Sequence, residues 1–69
     1  MWIKIKNTRI NLTHVSDYTL RENDITFYYP VFTGEDNDDQ HFEIIACDTP
    51  VEAKAIVKQL DEALGVKEL

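Results

Sequence analysis

The chain has 69 residues, the size of one small domain whose core is necessarily thin. With 43% hydrophobic residues, 29% charged residues and two each of Gly and Pro, it is globular, and its single cysteine, Cys47, excludes an internal disulfide, so stability must come from packing or from a partner chain. The net charge of −6 divides into +3 over residues 1–16, −9 over residues 17–52 and zero over residues 53–69, a balance that repels nucleic-acid phosphates over most of the surface.

In chain order, "WIKIK" alternates strictly and predicts a half-buried strand over 2–6, with Ile3 and Ile5 on one face and Trp2, Lys4 and Lys6 on the other. Asn7-Thr8 suits a tight turn, because Asn tolerates positive φ. The alternation resumes in "RINL" (9–12), with Ile10 and Leu12 inward. Residues 14–20 form a weaker strand with Tyr18 and Leu20 on one face and Val15 on the other. A turn over Arg21 to Asp24 follows.

The strand over 24–30 is rich in β-branched and aromatic residues, with Ile25, Phe27 and Tyr29 facing one way and Thr26 and Tyr28 the other. Pro30 lacks an N–H and marks a strand end, a bulge or an edge. The acidic stretch "GEDNDDQ" (34–40) then reads as a hairpin tip. In the strand over 41–47 the alternation assigns Phe42, Ile44 and Ala46 to the inside.

The last element is a helix over 50–64. Thr49 is the N-cap, Pro50 sits at the first helical position and Glu52 completes a capping box. Ala53, Ile56, Val57, Leu60, Ala63 and Leu64 form one apolar stripe, and Gly65 stands where a left-handed cap is needed. The expected fold is therefore α+β: an antiparallel meander of four or five strands packed by one C-terminal helix.

Such a helix is too narrow for the sheet. Five strands about 4.8 Å apart span roughly 20 Å, whereas a helix is about 10 Å across. The opposite sheet face collects Trp2, Val15, Tyr28, Ile45 and Cys47 among Lys4, Lys6, Asp17 and Glu43, and an apolar cluster of that kind marks an interface. The expectation is a non-enzymatic protein-binding module that docks on itself as a homodimer, or on another protein, through this face.

The constellations that would carry chemistry are incomplete. Cys47 with His14 or His41 has the residue types for acyl transfer, but a free cysteine at a strand end is first a small hydrophobe, and Asp48 opposes thiolate formation. His41, Glu43 and Cys47 share a strand face, yet His41 and Cys47 lie about 20 Å apart in extended chain, too far for one ion. The acidic stretch fails the EF-hand pattern: starting from Asp36, position 6 is His41 instead of Gly and position 12 is Cys47 instead of Glu. There is no glycine-rich phosphate loop. The chain is thus expected to have no catalytic residue, metal or cofactor.

An alternative is phosphate mimicry, in which an acidic protein of a phage or mobile element occupies the basic groove of a nucleic-acid enzyme. Glu35, Asp36, Asp38 and Asp39 would lead such a surface, joined by Asp17, Glu22, Asp24 and Glu43. No apolar run reaches the ~20 residues of a membrane span, and the N-terminal apolar residues alternate with charges, unlike a signal peptide. Together with the lone cysteine this points to the cytoplasm, where the "NLT" acceptor pattern at Asn11 has no meaning.

The segment "INLTHV" (10–15), opening a meander that closes on a short helix, resembles short bacterial and phage proteins with an I-N-L-x-x-V strand, including the flagellar FlbD-type proteins. The layout is also similar to a shortened pleckstrin-homology-type sheet with its C-terminal helix. The resemblance implies a small bacterial or phage binding module and carries over no active site. The acidic stretch and the well-capped helix depart from it.

Overall fold

In the computed structural model, which describes residues 1–30 and 41–69, five strands and one C-terminal helix form an α+β domain. Strand β1 (Trp2–Ile5) pairs antiparallel with β2 (Thr8–Asn11), and Ile3 lies opposite Ile10. The connecting turn places Lys6, not Asn7, at positive φ (56°). A turn of 3₁₀-helix, Leu12–His14, follows, and then β3 (Asp17–Arg21), β4 (Asp24–Tyr28), β5 (Phe42–Ala46) and helix α1 (Pro50–Leu64).

The strands do not form one continuous meander. They divide into a two-stranded sheet, β1–β2, and a three-stranded sheet in the order β3–β4–β5. The division falls where a strand over 14–20 was expected. The Asn11 side chain accepts a hydrogen bond from the Thr13 N–H at 3.1 Å and the Val15 N–H returns to the Leu12 carbonyl at 3.2 Å, so the backbone coils before β3 starts. Asn is suited to this because its short side chain competes with the ladder for local N–H groups.

Helix α1 has the predicted bounds, since its ends are specified locally. Thr49 Oγ1 accepts the Glu52 N–H at 3.1 Å. Glu52 Oε1 accepts from the Asp48 N–H at 2.9 Å, one residue earlier than in a standard capping box. At the other end Gly65 adopts φ 70°, the Gly65 N–H donates to the Glu62 carbonyl and the Val66 N–H to the Asp61 carbonyl, a Schellman motif.

The core lies between the sheets and the helix. Ile5, Ile10, Ile25, Phe27, Ile45, Cys47, Ala53 and Leu60 are buried, with Ile3, Leu12, Val15, Tyr18, Leu20, Ile56 and Val57 packed around them. The Tyr18 hydroxyl donates to Asp61 Oδ1 at 2.8 Å and ties β3 to α1. Burial, then this hydrogen bond and the Asp61 charge, push the phenol up to about 12.

Strand β5 corrects the expected phase. Ile45 lies opposite Ile25 in the β4–β5 ladder, and directly opposed residues share a sheet face. Ile25 is in the core, so Ile45 and Cys47 are too, while Phe42, Ile44 and Ala46 turn outward. Glu43 shares the inner phase but sits near the strand's start, half-buried, where it accepts from the Tyr29 hydroxyl at 3.3 Å.

Candidate functional site

The five expected interface residues are not brought together. Ile45 (5% exposed) and Cys47 (4%) are core residues, because the ladder with β4 fixes their phase. Val15 closes the 3₁₀ turn and packs on the core instead of facing out. Trp2 is exposed (68%) as expected, but it stands on the β1–β2 sheet, whereas Tyr28 stands on the three-stranded sheet. Residues Glu35, Asp36, Asp38 and Asp39 lie outside the described residues.

A different apolar cluster takes their place. The outer face of the three-stranded sheet is built from alternate residues in register: Asp17, Tyr28 and Phe42 in one row, Thr19, Thr26 and Ile44 in the next, Arg21, Asp24 and Ala46 in the third. Phe42 (57% exposed) and Ile44 (54%) project from β5, and the Tyr28 ring lies beside Phe42 with centroids 6.2 Å apart at 47°. That geometry is a favourable tilted aromatic pair. A shallow groove runs across this face past Thr26, Tyr28, Phe42 and Ile44. Its charges stand at the two ends of β3, Asp17 and Arg21, and at Asp24 opposite Ala46, so that none borders Ile44.

Sequence reasoning missed Phe42 and Ile44 because both phases of "FEIIAC" are largely apolar. The available signal was Cys47, a residue type that is usually buried. Assigning Cys47 inward also assigns Ile45 inward and frees Ile44.

Among the described residues, strand β5 stands at the edge of its sheet, and its only ladder is with β4. The Cys47 N–H donates to the Asn23 carbonyl and the Tyr29 N–H to the His41 carbonyl, both at 2.8 Å. By the alternation of antiparallel ladders, Glu43 and Ile45 therefore direct their N–H and C=O groups to β4, and Phe42, Ile44 and Ala46 direct theirs away from it.

Cys47 is placed unfavourably for nucleophilic chemistry. Burial pushes the Cys47 thiol up, the Glu52 carboxylate adds to this, and Lys6 only partly opposes it. A nucleophilic cysteine requires the reverse. Lys6 is itself engaged, with its Nζ 3.4 Å from Asp48 Oδ1 and 3.7 Å from Glu52 Oε1. His14 and His41 border a hollow of about 820 Å³ with Tyr29, Pro30, Phe42 and Glu43. Burial, then Glu43, raise the Tyr29 phenol there. No group of three His, Cys, Asp or Glu side chains converges to hold a metal among the described residues.

No family model, curated protein or solved structure matches the chain. Among the described residues no helix is long and apolar enough to cross a membrane.

Proposed function

We propose that the chain is a non-enzymatic protein-binding module that docks through the outer face of its three-stranded sheet. The observation that carries the reading is the exposure of Phe42 and Ile44 beside Tyr28, on a strand with no charged side chain on that face. Helix α1 packs on the opposite face, through Tyr18 and the buried Ala53 and Leu60. Large apolar side chains grouped on a small domain favour association, since covering them removes apolar area from water at about 25 cal/mol per Å².

The test is capture from host extract with the tagged chain and with a Phe42→Ser/Ile44→Ser double variant, at low and physiological salt. Both side chains are exposed, so the variant keeps the fold. The reading predicts a partner retained at both salt concentrations by the parent chain and lost by the double variant. Equal capture by both overturns it. Binding that collapses with salt, and on replacing Asp36, Asp38 and Asp39 by Asn, favours phosphate mimicry instead.

A further inference from the structure

We infer that the occupant of this face is a second copy of the chain, joined through the β5 edge in an antiparallel pairing centred on Ile44, so that the two three-stranded sheets become one of six strands. The inference rests on the proposed docking role and names its partner.

The first support is the edge itself. Exposed strand edges are usually blunted by Lys, Pro or a bulge, because an open ladder pairs with other chains. Strands β1, β2 and β3 carry Lys4, Arg9 and Arg21 respectively. Strand β5 is Phe-Glu-Ile-Ile-Ala, an edge with no cation and no proline. Its outward-directed backbone groups belong to Phe42, Ile44 and Ala46, the same residues whose side chains face outward.

The second support is self-complementarity. A two-fold axis at Ile44 sets Ile44 against Ile44 of the second copy, and Phe42 against Ala46 of the second copy, twice. The central pair and the two flanking pairs exchange roughly six main-chain hydrogen bonds. On the outer face this gives one uninterrupted apolar band, with each large Phe42 ring beside a small Ala46 and each Tyr28 flanking it. Such a contact is isologous and closes on itself, which gives a dimer instead of a fibre.

The third support is charge. At a net charge of −6, two copies repel unless they meet where charge is sparse. The only charged residue in β5 is Glu43, and in this register it falls opposite Ile45 of the second copy, not opposite the other Glu43. Asp24 and Arg21 stand one and two strands away. A pairing shifted to centre on Glu43 keeps every side chain on its face but sets the two Glu43 carboxylates directly opposite each other, which the Ile44-centred register avoids.

Sedimentation equilibrium from micromolar to millimolar protein tests this with three chains. The parent is expected to approach twice the monomer mass. Ile44→Lys, at an exposed position, is expected to stay monomeric with an unchanged far-UV spectrum. Ala46→Pro removes one outward N–H while keeping an apolar side chain, and is expected to weaken dimerisation at least tenfold. A parent chain that stays monomeric throughout overturns the inference, and if the Phe42→Ser/Ile44→Ser variant still loses a captured protein, the docking role survives with a different partner. A dimer unaffected by Ala46→Pro also overturns it, since copies then meet face to face and not edge to edge.

Discussion

Two adjacent isoleucines should respond very differently to truncation. Ile45 is 5% exposed and lies against Ile25, which is fully buried, whereas Ile44 is 54% exposed. Ile→Ala removes three carbons, a loss of about 2.4 kcal/mol at ~0.8 kcal/mol per buried methylene. The cavity left at Ile45 raises this to about 3–4 kcal/mol. At Ile44 the same atoms are largely in water in the folded chain, so the cost stays near 0.5 kcal/mol. Both changes lower β propensity alike, so their difference, about 2.5–3.5 kcal/mol, reports burial alone. A domain of this length is stable by only about 3.5–10 kcal/mol, so Ile45→Ala should shift the urea midpoint by about 2 M or unfold the chain. The assay is equilibrium unfolding followed by far-UV circular dichroism, because the exposed Trp2 is a poor reporter of core packing. It should be run at the lowest workable concentration, where Ile44 makes no contact with a second copy. Equal costs at the two positions, or a larger cost at Ile44, would show that the β5 phase is wrong.

Removing the Tyr18 hydroxyl by Tyr18→Phe should cost about 1 kcal/mol at neutral pH, because it leaves Asp61 without its donor. The folded phenol is raised to about 12 against an ordinary value near 10, so its contribution is complete below pH 10 and is lost as pH rises towards 12. Alkaline unfolding of the parent should therefore show a loss of stability over that window which is smaller in Tyr18→Phe; identical pH profiles would contradict the assignment. Glu22 occupies the β3–β4 turn at φ 56°, a conformation that costs a side-chain-bearing residue about 1–2 kcal/mol. Glu22→Gly should raise stability by about 0.5–1 kcal/mol after the added freedom of the unfolded chain is counted, and a destabilised variant would show that the turn is not strained.

Most of the fold was legible where the determinants are local. The helix was readable to the residue because Thr49, Pro50, Glu52 and Gly65 act on their own neighbours. The phases of β1 and β4 were readable because only one face of each is consistently apolar. Strand β5 was harder to read, because either phase of "FEIIAC" buries apolar groups; apart from the tendency of Cys47 to be buried, its pairing with Ile25 and Phe27 decides between them. That same ambiguity hid the candidate site: Phe42 and Ile44 were assigned to the core, and Ile45 and Cys47 to the surface. The division into two sheets was also hidden, since it falls where the Asn11 side chain accepts a hydrogen bond from the Thr13 N–H, a local contact that competes with continued strand pairing.

The central claim is that β5 is a docking edge, and amide hydrogen exchange at low and high protein concentration tests it most directly. Glu43 and Ile45 bond to β4 within the chain and should be protected at both concentrations. The account predicts that the Phe42, Ile44 and Ala46 amides exchange rapidly in dilute solution and become protected as concentration rises, with Ile44 at the centre changing most. Rapid exchange of all three at every concentration, or protection that is already complete in dilute protein, would contradict it.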